Sequence, residues 1–349
     1  MRHDTITYTM WPEPEPVRYP YSDTMGDYEN SQFTYVNPGG EVGVDVYVST
    51  GRVEDAPWND LPLSERQRWL HFDAYPGDRE LGNAMLHCFV ASACKYINRF
   101  PDEPLVSIVI PTYYFPERDA LLTRALNSLQ RQTYRNIEVI ILSPIGEPEP
   151  NIQSIFMASY PILWLRSQGH TGNVGRAKRT AFGAAAGELL VELDHDDELT
   201  PRAIEHLVNA YNLHGEGFYY SDCAEVDERG DPLEYGPGWG FGFGSYRYES
   251  LDGKPYSVTN YPPVNKETIK HIVGVPNHFR AWTAQSYAVA GGHSPEMFVV
   301  DDYELLLRTF LTSKVVHIKE FGYIQHMRGS NTQDIRRKVN GQHEVVIVF

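Results

Sequence analysis

The residues most able to do chemistry stand in one run, Glu192-Leu193-Asp194-His195-Asp196-Asp197-Glu198. The run closes an apolar stretch, Glu188 to Leu193, whose composition predicts a buried strand. Side chains alternate along a strand, so Asp194 and Asp196 are expected to project to the same side. In open α/β sheets, ligands bind beyond the carboxyl ends of the strands. Carboxylates crowded there repel one another unless a cation lies between them, and oxygen donors of this kind suit Mg2+ or Mn2+. Such a cation can bridge a diphosphate and stabilise it as a leaving group. The competing reading is a solvated acidic turn that caps the next helix.

Other segments add candidate groups. Gly169-His170-Thr171-Gly172-Asn173-Val174-Gly175-Arg176-Ala177-Lys178-Arg179 opens a helix, where backbone N–H groups attract phosphate. Its glycines are spaced GxxGxxG and do not follow the first strand, so the dinucleotide fingerprint is not met. Arg176, Lys178 and Arg179 either neutralise phosphate charge or form a solvated helix face. Asp301 and Asp302 form an acidic pair at a helix start. The helix macrodipole accounts for such a pair, and so does a carboxylate poised as general base. His326, in Tyr323-Ile324-Gln325-His326, is a candidate third metal ligand through a neutral ring nitrogen, although a lone His is more often structural.

The elements that position these groups follow from periodicity. Val106 to Ile110, Ile137 to Leu142 and Ile162 to Leu165 are short apolar runs expected as buried strands. Asp119 to Arg131 and Asn173 to Ala186 read as helices between them, and Thr200-Pro201 as a helix start with Thr as its cap. This alternation predicts an α/β fold with a mostly parallel, doubly wound sheet and helices on both faces. Before the linker Pro101-Asp102-Glu103-Pro104, residues 1–100 carry no catalytic motif and are expected to form an accessory region. There Val44 to Val48 alternates like a strand, while Ser64 to His71 and Leu81 to Phe100 read as helices. The Gly236 to Gly244 loop, rich in glycine and aromatics, suits either a mobile lid or a plain surface loop.

Composition narrows the classes of function. The net charge of −16 over 349 residues argues against a protein that tracks nucleic-acid phosphates or an anionic membrane. The three cysteines, Cys88, Cys94 and Cys223, form no closed disulfide framework and suit reduced thiols, so a cytoplasmic location is expected. No apolar run reaches the roughly 18 residues of a membrane span.

Taken in order, these motifs resemble the inverting family-two glycosyltransferases with the GT-A fold. The resemblance covers residues 104–333, leaving 334–349 as a tail. It runs through Val106 to Tyr113, Ser128 to Tyr134, Asn173 to Ala177, the DxD-type Asp194-His195-Asp196, Tyr220-Ser221-Asp222, Gly291-Gly292-His293 and Asp301-Asp302-Tyr303-Glu304-Leu305. It implies transfer of a sugar from a nucleotide-diphosphate sugar, a UDP-sugar first, to an acceptor hydroxyl, a glycan first, with Mn2+ or Mg2+ as cofactor. It implies Asp196 as main metal carboxylate, Asp194 on the metal or ribose, His326 completing the metal site, and Asp302, paired with Asp301, as catalytic base. Pro111, Thr112 and Tyr114 would lie near the nucleotide, with Asn173, Lys178, Arg179 and His195 also on the donor. Two positions depart from the family: Ser143-Pro144 stands where an acidic residue usually closes the second strand, and Asp301 replaces a Glu. The alternatives are a noncatalytic sugar- or nucleotide-binding module, and a transferase acting on a protein or modified nucleobase.

Overall fold

The structure, a computed structural model, describes residues 5–12, 32–36, 44–60, 68–82, 84–85, 103–112, 119–144, 160–167, 173–236, 244–271, 276–297 and 300–327. Tyr114, most of the 236–244 loop and the 334–349 tail lie outside them. The strands are β1 (Thr5–Trp11), β2 (Gln32–Tyr35), β3 (Val46–Thr50), β4 (Trp69–Phe72), β5 (Val106–Pro111), β6 (Ile137–Pro144), β7 (Ile162–Ser167), β8 (Leu189–Glu192), β9 (Glu198–Leu199), β10 (Phe218–Val226), β11 (Pro232–Leu233), β12 (Ser245–Leu251), β13 (Lys254–Asn260), β14 (Arg280–Thr283) and β15 (Val315–His326). The helices are α1 (Asp119–Gln130), α2 (Val174–Gly183), α3 (Ala203–His214), α4 (Lys266–His271), α5 (Ala284–Val289) and α6 (Asp301–Thr312).

The described strands form one mixed sheet in the order β12-β13-β10-β14-β8-β5-β6-β7-β4-β3-β1-β2, with β15 and β11 on β10 and β9 on β15. Its centre is parallel: β5 pairs in parallel with both β6 and β8, and β6 with β7. Val106, Ile108, Val109 and Ile110 are fully buried there, which is why this run is apolar apart from Ser107 rather than alternating. Beyond β8 the sheet turns antiparallel through β14, β10 and β13, although β15 pairs with β10 in parallel. Leu122, Ala125, Leu126 and Leu129 of α1 enter the same core, and α2 packs on β5 and β6.

The first hundred residues continue this sheet. β4 pairs in parallel with β7, β3 with β4, and β1 with β3. Val46 and Val48 share a cluster with Leu70, Phe72, Ile6 and Tyr8, while Trp69 joins the central core. The expected helix from Ser64 to His71 is corrected here, because Trp69–Phe72 is a strand with all four residues buried. A short apolar run fits either period, and pairing with β3 and β7 decides it. Residues 78–82 and 84–85 are helical, as expected for the start of the Leu81 helix, whose remainder lies outside the described residues.

Thr200-Pro201 also differs from expectation. Thr200 donates Oγ1 to the Phe321 carbonyl at 2.6 Å, so its hydroxyl ties the chain to β15 instead of capping, and α3 begins only at Ala203. No helix among the described residues is long and apolar enough to cross a membrane.

Candidate active site

Strand β8 ends at Glu192, and the acidic run turns immediately afterwards, with Asp197 N donating to Asp194 O at 3.1 Å. The turn, rather than the pleat of a strand, therefore sets where Asp194 and Asp196 point. Both are half-buried, whereas Asp197 is buried. Asp197 accepts from the Tyr323 hydroxyl at 2.9 Å and from the His326 backbone N–H at 2.8 Å, which fastens the turn to β15. Burial, and then the charges of Asp196 and Asp194, push its carboxyl well above the usual range. Arg124 donates to the Asp196 carbonyl. Asp194 Oδ2 lies 3.3 Å from His278 Nε2. Burial opposes the Asp194 charge, but His278 outweighs it and holds the carboxyl below its ordinary range.

Behind this turn lies a buried chain of ion pairs. Glu192 has Lys178 Nζ at 2.5 Å and Arg280 Nη1 at 3.7 Å. Lys178 also reaches Asp301 Oδ2 at 3.3 Å, and Arg280 reaches Asp302 Oδ2 at 3.2 Å. Burial alone would raise the Glu192 carboxyl, yet the two cations bring it down to about 2. Buried charges persist only when paired in this way. Arg280 is held in turn by the Asn277 carbonyl at 2.9 Å. Its network thus connects the end of β8 to the first turn of α6, where the macrodipole favours both acids.

The two acids are not equivalent. Asp301 is sealed, with a side chain 2% exposed, and burial raises its carboxyl despite Lys178. Asp302 keeps a 10% exposed side chain and accepts from its neighbour Tyr303 N at 2.8 Å. Of the pair, Asp302 is the less covered. Near Asp301, His293 Nε2 stands at 3.8 Å and Nδ1 bonds the Tyr287 hydroxyl at 2.8 Å. Burial, with Lys178, lowers the His293 ring to about 3, so it is neutral.

The expected donor-side residues divide. Pro111 ends β5 opposite Leu142 of β6, and Thr112 follows it, its N–H donating to the Leu142 carbonyl at 2.8 Å. Thr112 is buried, and its Oγ1 has no hydrogen-bond partner among the described residues. His195 is half-buried in the acidic turn. Three others have structural occupations instead. Lys178 is buried between Glu192 and Asp301. Arg179 donates to the Gly291 and His293 carbonyls at 2.7 and 3.1 Å. Asn173 caps α2 by accepting from Arg176 N at 2.9 Å and donates to the Pro295 carbonyl at 2.9 Å.

These ties require close approach of α2 to the segment before α6. Gly175 N donates to the Met297 carbonyl at 3.1 Å, and a Cβ at Gly175 would sit 2.2 Å from the Ser294 carbonyl oxygen. Gly175→Ala is therefore expected to destabilise the protein by about 1–3 kcal/mol through overpacking. Urea denaturation checks it, and an unchanged midpoint would remove the packing role.

His326 does not join the carboxylates of the turn. Its Nε2 lies 3.0 Å from Glu198 Oε1, and Arg131 holds the other oxygen of Glu198 at 2.9 Å. Among the described residues no group of three His, Cys, Asp or Glu side chains is placed to hold a metal alone. Asp194 and Asp196 still fit a hard cation, because Mg2+ typically takes one or two protein carboxylates and completes its shell with phosphate oxygens and water. Sequence reasoning gave no role to Glu192, His278, Arg280 and His293, although Glu192 opens the acidic run and His293 closes the Gly291-Gly292-His293 motif; His278 and Arg280 carried no signal.

The chain is similar to several known proteins. Residues 107–265 match the family described as Glycosyl transferase family 2. A chondroitin synthase of Escherichia coli is 23% identical over 248 residues, covering 70% of this chain and 32% of that protein. A hyaluronan synthase of Pasteurella multocida is 23% identical over 257 residues, covering 73% and 23% respectively. The chain thus spans about a third or less of the length of these relatives. A crystal structure of S. aureus TarS in complex with UDP-GlcNAc aligns with a TM-score of 0.48 and 17% identity, covering 66% of this chain and 60% of that one. Through residues 107–265, the chain is similar to glycosyl transferase family 2.

Proposed function

We propose that this protein transfers a sugar from a nucleotide-diphosphate sugar to an acceptor hydroxyl with inversion, using Asp302 as base. The observation that carries the reading is the link from the Asp194–Asp196 turn to Asp302. Glu192 and Arg280 join the two across a buried path of ion pairs at 3.7 and 3.2 Å. Asp302 takes the proton of the acceptor hydroxyl as that oxygen bonds the anomeric carbon, and the nucleoside diphosphate departs from the opposite face. Arg280 orients the carboxylate through Nη1, 3.2 Å from Asp302 Oδ2. Thr112, with its unpartnered buried hydroxyl, is the nucleotide-side contact. Asp194 and Asp196 would hold Mn2+ or Mg2+, whose charge offsets that developing on the diphosphate. The names of the relatives, synthases of chondroitin and hyaluronan, support a glycan acceptor. A UDP-sugar is the donor to try first.

A donor panel tests the proposal. Nucleoside diphosphate release is expected from one of the UDP-, GDP- or dTDP-sugars with Mn2+ or Mg2+, water serving as a slow acceptor. Chelation with EDTA, and Asp196→Ala, are each expected to abolish the release. The absence of release and of donor binding by calorimetry across the whole panel would refute the transferase assignment.

A further inference from the structure

Among the described residues the sheet ends in two strands of different character. β2 closes one edge with four residues, whereas β12 closes the other with seven in unbroken register with β13. A long edge strand is normally blunted by lysine, proline or a bulge. Ser245-Tyr246-Arg247-Tyr248-Glu249-Ser250-Leu251 has none of these.

The turn after β12 decides which of its backbone groups face outward. Asp252 and Gly253 both have positive φ, 53° and 78°, the type I′ geometry of a two-residue hairpin. The flanking pair Leu251 and Lys254 therefore exchanges hydrogen bonds, as does every second pair before it. Pro255, which has no N–H, stands opposite Ser250 at a pair that exchanges none. The N–H and C=O of Tyr248 and Ser250 thus point away from β13, and Tyr248 is 77% exposed. Arg247 and Glu249 flank Tyr248 on the other face of the strand. Arg247 is fixed by Asp222 Oδ2 through Nη1 and by Glu249 Oε1 through Nε, each at 2.6 Å. Its Nη2, and Oε2 of Glu249, have no partner among the described residues.

We propose that β12 pairs antiparallel with β12 of a second copy, about a twofold axis through Tyr248. In this register the two Tyr248 residues exchange backbone hydrogen bonds, and Arg247 stands opposite the partner's Glu249. The open Nη2 then meets the carboxylate oxygen that the other chain leaves open. The two internal ion pairs close into a ring of alternating charge. A slip of two residues sets Arg247 against the partner's Arg247, or Glu249 against the partner's Glu249, and like charges directly opposite are destabilising. A slip of one sets opposite faces together. The charges therefore select one register, and the contact is isologous. A strand-sized contact buries less than the roughly 800 Å² per partner of a standard interface, so the dimer is expected to dissociate at about 1–100 µM.

Sedimentation velocity of the full chain from about 1 to about 200 µM tests the pairing, and wild type is expected to pass from monomer to dimer across that range. Tyr248→Pro removes the central N–H at a position where an edge strand tolerates proline, and Glu249→Lys sets like charges opposite. Each is expected to weaken dimerisation at least about tenfold. Tyr248→Cys reads the register, because the twofold pairing sets the two Cα atoms about 5.5 Å apart, within disulfide reach. Oxidation is expected to cross-link it as a dimer well beyond wild type and beyond Leu213→Cys, a 77% exposed position outside β12. Circular dichroism confirms the fold of each variant. Should Tyr248→Pro or Glu249→Lys fail to fold, the two cysteine variants still decide. Wild type that stays monomeric throughout, a dimer that both substitutions leave intact, or cross-linking of Tyr248→Cys no greater than that of Leu213→Cys each overturns the proposal.

Discussion

Asp302→Asn is expected to cut turnover by about 10²–10⁴-fold, the range contributed by a positioned general base. Nucleoside diphosphate release from the donor identified by the panel measures it. Asparagine preserves the shape and the contact with Arg280 Nη1, 3.2 Å away, through its amide oxygen, but cannot take the acceptor proton. Donor affinity by calorimetry is expected to stay within about threefold, because the base acts on the acceptor rather than on the nucleotide. Asp301→Asn supplies the contrast. That side chain is sealed against Lys178, so its loss should appear mainly as reduced stability. Equal turnover in Asp302→Asn and wild type would remove the base role. A larger turnover loss in Asp301→Asn, with stability intact, would transfer that role to the sealed acid.

Lys178→Met is expected to lower stability by about 3–5 kcal/mol near neutral pH, the cost of stripping the partner from a buried charge. Glu192 would keep only Arg280, at 3.7 Å, and Asp301 would keep only the neutral His293, at 3.8 Å. The pH dependence follows from the directions of the shifts. The Glu192 carboxyl is depressed from 4.5 to about 2 in the folded protein. It therefore contributes stability above about 4.5 that is lost as pH falls through about 2. Removing Lys178 weakens that depression and leaves the burial of Asp301 unopposed, raising the folded-state affinity of both acids for protons. The deficit of the variant should be greatest near neutral pH and narrow as pH falls below about 4.5, where both carboxyls begin to protonate. Urea midpoints near neutral and near pH 4 check this, and a deficit equal at both would show that packing, not charge, is what Lys178 supplies.

Much of the parallel half of the sheet was legible from local pattern. Val106 to Ile110, Ile137 to Leu142 and Ile162 to Leu165 are largely apolar because both their faces are covered, and α1 shows its buried face through Leu122, Ala125, Leu126 and Leu129. Local information fails where two periods fit equally well. Trp69-Leu70-His71-Phe72 follows a segment that reads as a helix, and only β3 and β7 on either side make it a strand. The antiparallel half depends on β8 pairing with β14, 88 positions onward from Glu192 at Arg280, and nothing local in either strand announces that partner.

The same division holds within the site. Sequence alone determined that acids would cluster after β8 and that a second acidic pair would open a helix near residue 301, because short-range patterns encode strand ends and helix starts. Only the tertiary structure decided what those charges face. It separated Asp302 from Asp301 by their covering, and it tied Lys178, Arg179 and Asn173 into the frame. It also turned His326 to Glu198 and brought His278 to Asp194. The physical reason is that the charge state and accessibility of a carboxylate depend on neighbours within a few ångströms. In this fold those neighbours come from chain positions as far apart as 178, 192, 280 and 302, which no spacing within a motif can specify.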